Sequence, residues 1–302
     1  MENFLLTISL LAIGMLLKRI PVFPENTSHT LNLFVIYVSL PALVLLKVPE
    51  LKFSQDLLVT AIIPWLMLVF SAVLIIIASR FFNWSKDVLA ALLLIVPLGN
   101  TSFLGIPMVQ SFFGEHAVPY ALMYDQLGSF LALAVYGSFI LAIFGQKNKK
   151  LTVQSVFKKI STFPPFISLV IALLLCFIDL PPSYFNFFEP LASTLVPVVM
   201  IAVGFQLSLK LSLHQLNPFI VGLSIKMIIA PVFVLLIFFM LGFNGLIYKV
   251  TVFEAAMPPM ISAGALAIMA NFSPKLTSAM IAYGIIFSFV TLPAFYYILN
   301  II

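Results

Sequence analysis

The sequence predicts an all-α membrane protein with ten transmembrane helices, arranged as a 5+5 inverted repeat with two broken, crossing helices. The prediction depends on composition, on the spacing of the hydrophobic runs and on prolines that recur in mid-span. Of the 302 residues, 63% are hydrophobic, whereas Asp, Glu, Lys and Arg together make 8%. The mean hydropathy is +1.19. No soluble domain of this length could bury so much apolar surface, so the composition indicates a polytopic protein embedded in a lipid bilayer.

The hydrophobic runs are separated by short polar breaks and leave room for ten spans, since one span needs roughly 20 apolar residues. The first run is interpreted as a retained span, because the N-terminus is acidic at Glu2 and no small-residue cleavage site precedes Lys18. The predicted spans are about 3–18, 31–48, 56–79, 88–112, 117–144, 163–180, 188–209, 216–242, 246–271 and 275–300.

The basic residues between the spans predict the orientation. One side collects eleven of them, namely Lys18, Arg19, Arg80, Lys86, Lys147, Lys149, Lys150, Lys158, Lys159, Lys210 and Lys275. The other side collects three, namely Lys47, Lys52 and Lys249. The Lys-rich side is predicted to face the cytoplasm, with both termini outside an inner (plasma) membrane. This topology explains the calculated pI of 9.3, so no nucleic-acid partner is expected.

One long basic connection, residues 146–160, divides the chain into halves 1–145 and 161–302. We interpret it as a solvated cytoplasmic linker, with contact to anionic lipid as the alternative. Each half holds five spans, so the second half enters the membrane from the opposite side and the repeat is predicted to be inverted. Corresponding markers lie 156 to 161 residues apart: Pro97 and Pro258, Tyr124 and Tyr283, Pro21 and Pro181, and Pro41 and Pro197.

The stretch V-P-L-G-N-T-S-F-L-G-I-P over residues 96–107 interrupts the fourth span. Pro97 removes a backbone donor and Gly99 can adopt non-helical angles, so the helix is predicted to stop and to restart near Asn100. Pro258 lies at the corresponding place in the ninth span. Unwound backbone at membrane depth is tolerated only where it is buried in protein or lines a polar cavity, so the two breaks predict a binding site.

Second half-helices that begin near 100–102 and 262–264 would present N–H groups with about half a positive charge at each terminus. These ends favour an anion, whereas the carbonyl ends near Val96 and Met257 could hold a cation or a proton-donating group. The alternative is that the polar residues merely cap the half-helices. The candidate substrate-binding residues are Pro97, Gly99, Asn100, Thr101, Ser102, Pro258, Ser262, Ala263 and Gly264.

Charged residues within the spans are few. Lys226 lies about ten residues into the eighth span, too deep to reach either membrane face, so it needs a partner. Asp125, directly after Tyr124, and Glu254, one turn before Pro258, are the available carboxylates. Such a pair could lock the structure or exchange a proton, or Lys226 could add positive charge for an anionic substrate. These alternatives stay open, and all four groups are candidate coupling residues.

The run N-T-S-F-L-G-I-P over residues 100–107, followed by F-G at 113–114 and Y-D-Q-L-G at 124–128, resembles the auxin efflux carrier family. Bacterial members of that family include malate and malonate permeases. The resemblance covers the whole chain in length, number of spans and placement of the breaks, with a weaker match in A-M-P-P-M at 256–260.

The resemblance implies a crossover fold similar to that of sodium/proton antiporters and bile acid symporters. Spans one, two, six and seven would form a scaffold, and spans three to five and eight to ten a moving transport domain. In similar family members, an asparagine after the proline of each crossover holds the substrate carboxylate. Asn100 matches the first of these positions, and Ser262 stands at the second. A homodimer through the scaffold is common for this fold.

Other chemistry is not indicated. His29, His116 and His214 are predicted in loops far apart, Cys176 is the only cysteine, and so neither a metal site nor an internal disulfide is expected. No nucleotide-binding run or nucleophile turn occurs, so neither a cofactor nor an enzyme activity is expected.

The predicted function is therefore secondary transport of a small organic anion, a mono- or dicarboxylate such as malate, by an elevator-like mechanism. Proton symport, electrogenic uniport and exchange all fit, and sodium coupling fits less well because few carboxylates lie near the crossing. One alternative is a cation/proton antiporter that uses Asp125 and Lys226. The other is a membrane sensor that transports nothing.

Overall fold

A computed structural model describes residues 2–50, 57–145, 153–206 and 215–301. Within these ranges the chain is helical, and the only β-type pairing described is one isolated bridge between Gly99 and Pro259. The helices are α1 Glu2–Leu17, α2 Thr27–Lys47, α3 Leu57–Phe82, α4 Lys86–Ile95, α5 Ile106–Phe113, α6 Glu115–Phe144, α7 Val153–Ser161, α8 Pro164–Leu175, α9 Pro182–Gln206, α10 Leu216–Leu241, α11 Leu246–Ala255, α12 Ile261–Met269 and α13 Pro274–Ile301.

Six helices of the described chain are long and apolar enough to cross a membrane, namely α2, α3, α6, α9, α10 and α13. Shorter apolar helices lie at Leu6–Leu17 and Pro164–Leu175. The prediction of an all-helical chain with several membrane spans is confirmed. Because length and composition identify six candidate spans, the ten-span inverted repeat stays a prediction.

Both predicted interruptions are present. The fourth predicted span stops at Ile95 and restarts at Thr101, with a π-helical turn Thr101–Gly105 leading into α5. The ninth stops at Ala255 and restarts at Ile261, one residue before the predicted start. Proline explains the breaks, because it cannot donate to the preceding turn and its ring clashes with the carbonyl four residues earlier.

The chain divides into two compact units. Unit 1 comprises Met1–Ser54, Ser102–Leu122 and Phe157–Leu207, and unit 2 comprises Gln55–Thr101, Met123–Val156 and Ser208–Ile302. Unit 1 thus contains the predicted spans one, two, six and seven together with the segment that follows the first interruption.

In unit 1, α1 packs along α9 at very short range. A Cβ at Gly14 would collide with the carbonyl oxygen of Ile201, and a Cβ at Gly204 would collide with that of Leu11. Small residues are the usual means of bringing two membrane helices this close, since lipid supplies no hydrophobic force to press them together.

In unit 2, α4 lies at the centre of the apolar core and packs against α12, α13 and α10. Its first turn is capped by the Ser85 side chain, which accepts from the Val88 N–H. The Tyr136 hydroxyl of α6 donates to the Leu93 carbonyl at 2.9 Å and so ties α6 to α4.

Helix α3 packs against α6 where α6 widens into the π-helical turn Tyr124–Phe130. A side chain at Gly128 would collide with the Pro64 ring, and Trp65 Nε1 donates to the Leu127 carbonyl at 3.2 Å. Other π-helical turns lie at Val35–Ser39 in α2 and Leu133–Gly137 in α6, and the turn Ile225–Ile229 interrupts α10. Single π turns inside α-helices are frequent at functional sites. The turns Tyr124–Phe130 and Ile225–Ile229 carry Asp125 and Lys226.

Three of the loop predictions need correction. The prediction of a loop across the basic linker is wrong over Val153–Ser161, which forms α7. His29 lies in the first turn of α2 and His116 in the first turn of α6, so neither lies in a loop. Several predictions fall outside the described residues, namely linker residues 146–152 with Lys147, Lys149 and Lys150, and also Lys52, Lys210 and His214.

Candidate functional site

The two interruptions meet in unit 2 and are joined by backbone hydrogen bonds. The Asn100 N–H donates to the Pro258 carbonyl at 2.8 Å, and the Met260 N–H donates to the Leu98 carbonyl at 3.0 Å. Pro258 and Pro259 have no N–H and can only accept. Unwound backbone in an apolar environment must find partners, and here each interruption supplies them to the other.

The side chain of Asn100 projects from this crossing and is 2% exposed. Its Nδ2 atom has no hydrogen-bond partner among the described residues. An amide nitrogen carries two N–H donors, so Asn100 offers unused donors in a buried place. A buried polar group without a partner is costly, and it is the kind of group that a ligand would satisfy.

The residue after Asn100 is engaged with α6. Thr101 Oγ1 donates to Asp125 Oδ1 at 2.6 Å, and Gln126 Nε2 donates to Asp125 Oδ2 at 2.6 Å. Asp125 is fully buried. Both of its carboxyl oxygens therefore receive a hydrogen bond, which is how a buried carboxylate is stabilised.

Two more charged side chains are buried near the crossing. Lys226 is 1% exposed, and its Nζ donates to the Ala255 carbonyl at 3.5 Å. Glu254 is fully buried, and neither of its carboxyl oxygens has a hydrogen-bond partner among the described residues. Glu254 interacts electrostatically with Asp125 and Lys226, and also with buried Tyr124. The four candidate coupling residues thus lie in one electrostatically linked cluster.

The candidates on α12 occupy its first two turns. Ser262 is half-buried, whereas Ala263 and Gly264 are buried. A Cβ at Gly264 would collide with the Ile281 side chain of α13, so Gly264 permits close packing. Ser102 is half-buried in the π-helical turn that follows Asn100.

Two contacts at the site were not predicted from the sequence. Gln126 donates to its chain neighbour Asp125. The Ala255 carbonyl was not expected to contact Lys226. The sequence does contain a signal for this role of Ala255. A helix that is broken by Pro258 ends a few residues earlier, and its last carbonyl groups then have no partner within the helix.

Unit 1 contains a separate cavity of about 630 Å³. Its lining includes Gln110 and Ser111 of α5, Glu189 of α9, and also Lys47 and Glu115. The last two form an ion pair, with Lys47 Nζ 2.9 Å from Glu115 Oε2. The cavity lining thus includes one basic side chain, Lys47, and two acidic side chains, Glu115 and Glu189. No sequence pattern indicated this cavity, because its lining comes from segments far apart in the chain.

An apolar helical chain whose interrupted helices cross at buried polar groups belongs, by fold and site, to the class of membrane transport proteins. Comparison with known proteins agrees. The family described as "Membrane transport protein" matches residues 1–296. The chain therefore belongs to this family, and the predicted membership of the auxin efflux carrier family is confirmed.

Two archaeal proteins are similar to the chain over nearly its whole length. A protein of Methanothermobacter thermautotrophicus named as an uncharacterised transporter is 27% identical over 295 residues, which cover 97% of this chain and 96% of the relative. A protein of Methanocaldococcus jannaschii, also named as an uncharacterised transporter, is 26% identical over 308 residues, covering 99% and 98%. The family match and the two relatives together show that this chain is a multi-pass membrane transporter.

Proposed function

We propose that the protein is a secondary transporter of small organic anions, mono- or dicarboxylates such as malate, and that the carboxylate binds where the broken helices cross. The observation that carries the proposal is the buried Nδ2 of Asn100, which has no partner among the described residues. A carboxylate oxygen is the natural acceptor for it. Hydrogen bonds to charged groups contribute about 1.5–3 kcal/mol each.

Further donors support the proposal. The first N–H groups of a helix have no partner within it, and α12 begins at the crossing. Together with the helix dipole these groups favour an anion. The hydroxyl of Ser262 lies in the same first turn of α12. A small carboxylate could therefore be bound by uncharged donors without a dedicated arginine.

The charges at the site favour proton symport. Two carboxyl groups, Asp125 and Glu254, share the cluster with one ammonium group, that of Lys226. A substrate carboxylate would add further negative charge in a medium of low dielectric constant, which is costly unless a positive charge enters with it. A proton on Glu254 meets this need, because its oxygens have no donor among the described residues.

The proposal includes the ten-span inverted repeat, with an elevator-like movement of the transport domain against the scaffold. Equal helix lengths support the repeat. Helices α4 and α11 both have ten residues and begin 160 residues apart. Helices α3 and α10 both have 26 residues and begin 159 apart. The proposed topology has both termini outside an inner membrane, the basic linker in the cytoplasm and a homodimer formed through the scaffold.

Uptake of labelled carboxylates into proteoliposomes tests the proposal. We expect malate or a related acid to accumulate when an inward proton gradient is imposed. Asn100→Ala should lower the affinity about ten- to a hundredfold, which corresponds to one lost hydrogen bond to a charged group. The matched control is Asn300→Ala, which removes an exposed asparagine that accepts from Lys249. Unchanged uptake by Asn100→Ala would remove the crossing from the mechanism.

The same vesicles distinguish the two alternatives. A cation/proton antiporter that uses Asp125 and Lys226 would change the internal pH on addition of a cation, without any organic anion. A membrane sensor would show neither ion-driven pH change nor uptake.

A further inference from the structure

Lys226 is a long charged side chain that unit 2 buries almost completely, with 1% of its surface exposed. It stands in the π-helical turn Ile225–Ile229 of α10 and reaches the crossing with its ammonium group. One contact and one distance define the position of Nζ. It donates to the Ala255 carbonyl at 3.5 Å, and a Cβ built at Gly99 would lie 3.1 Å from it. The ammonium group therefore sits between the end of α11 and the first interruption.

The Ala255 carbonyl is the last of α11. The last four carbonyl groups of a helix have no partner within the helix and carry about half a negative charge together. In α11, the carbonyl groups of Val252, Phe253 and Glu254 accept from the N–H groups that follow them, those of Ala256 and Met257. The fourth, that of Ala255, accepts from Lys226. The ammonium group thus completes the C-terminal cap of a half-helix at membrane depth.

Such a half-helix end is where membrane transporters coordinate a coupling cation, because free carbonyl oxygens and a negative dipole end are directed at one point. Nearby carboxyl groups add to the attraction. Glu254 on α11 interacts electrostatically with Lys226, and also with Asp125 and Tyr124 on α6. The place thus offers a cation one helix-end carbonyl oxygen and negative charge close by, and Lys226 occupies it.

We infer that the ammonium group of Lys226 is a tethered cation that fills the position of a coupling sodium ion, so that transport does not depend on sodium. The inference rests on the proposed transport function and specifies its coupling ion. Removal of the ammonium group leaves the Ala255 carbonyl without its donor and the Glu254 carboxylate without the positive charge with which it interacts electrostatically. A free sodium ion then binds in its place.

The test measures thermal unfolding of the purified full-length protein in NaCl and in choline chloride at equal ionic strength. The unchanged protein should unfold at the same temperature in both salts. Lys226→Met should unfold at a lower temperature in choline chloride and recover in NaCl, with a midpoint that rises with the logarithm of the sodium concentration, as mass action requires. Lys226→Arg keeps the charge and should not respond to sodium.

Two controls make the result specific. Lys249→Met removes a lysine of α11 that donates to Asn300 at 3.1 Å, away from the crossing, and this variant should gain no sodium response. Lys226→Met combined with Glu254→Gln lacks the counter-charge and should lose the response. If Lys226→Met cannot be purified, Lys226→Gln is measured in the same salts, since it also removes the positive charge.

Selective stabilisation of the unchanged protein by sodium would overturn the inference. So would a Lys226→Met or Lys226→Gln variant that behaves identically in both salts. The unfolding experiment requires no organic anion, so it tests the role of Lys226 even if no carboxylate uptake is found. Conversely, if the Lys226 variants show no sodium response, proton-driven carboxylate uptake would still support the proposed transport function.

Discussion

The backbone N–H of Asn100 donates a 2.8 Å hydrogen bond to the carbonyl oxygen of Pro258, which lies 158 positions further along the chain. The reciprocal bond from Met260 to Leu98 closes the pair. The Asn100 side chain is thus positioned by main-chain contacts, which persist when the side chain is changed. Substitution of the Asn100 side chain should therefore affect binding more than folding, and this consequence can be measured.

Thr101→Val removes a donor from a buried carboxylate. Asp125 keeps the hydrogen bond from Gln126 but loses the 2.6 Å bond from Thr101. We expect a loss of about 1.5–3 kcal/mol of stability, with recovery in Thr101→Ser. Thermal unfolding in detergent measures it. Thr60→Val is the matched control, because the buried Thr60 hydroxyl donates only to the Leu57 carbonyl of its own helix. Equal losses in the two valine variants would contradict the role given to Thr101.

Gly99→Ala should disturb Lys226 without unfolding the protein. The added Cβ would lie 3.1 Å from Lys226 Nζ, so the ammonium group must move by a few tenths of an ångström. Because Nζ ends a flexible side chain, we expect nearly unchanged thermal stability and several-fold slower uptake. In Gly137→Ala the new Cβ meets only side-chain carbons, Leu133 at 3.3 Å and Leu94 at 3.7 Å, and this control should leave uptake intact. A Gly99→Ala variant with full uptake would show that the position of Nζ is not critical.

Gly14→Ala should damage the fold of unit 1. The new Cβ would meet the backbone carbonyl of Ile201, which cannot move without separating α1 from α9. We expect the unfolding temperature to fall by more than in Gly242→Ala. The control side chain meets no atom within 4 Å and is disfavoured only by its φ of 67°, at a cost of about 1–2 kcal/mol. Size-exclusion chromatography and thermal unfolding in detergent measure the difference.

Lys47→Ala tests whether the cavity of unit 1 binds the substrate instead of the crossing. The Lys47–Glu115 ion pair is partly exposed, at 18% and 56% of the two side chains, so its loss should cost at most about 1 kcal/mol. We expect unchanged affinity for the carboxylate in the uptake assay. If Lys47→Ala abolishes uptake while Asn100→Ala does not, the cavity is the binding site.

Proline positions made the interruptions predictable. Pro97 and Pro258 act through local sterics, which any helix containing them must obey, so both breaks were located within a residue or two. Hydrophobic runs likewise predicted the helices, since each run must satisfy its own backbone in an apolar solvent. The helix α7 was missed because its polar sequence lacks such a run, and its nine residues are too few to span a membrane.

The sequence by itself determined that this chain is a helical membrane protein, where its helices break, and which of its few charged residues are too deep for water. These properties follow from composition and local stereochemistry. Only the tertiary structure decided which partners those residues have: Asp125 accepts from Thr101 and Gln126, and Lys226 contacts the Ala255 carbonyl beside Gly99. Such pairings depend on the π-helical turns that rotate side chains out of their regular register and on helices distant in the chain, and neither leaves a periodic signal in the sequence.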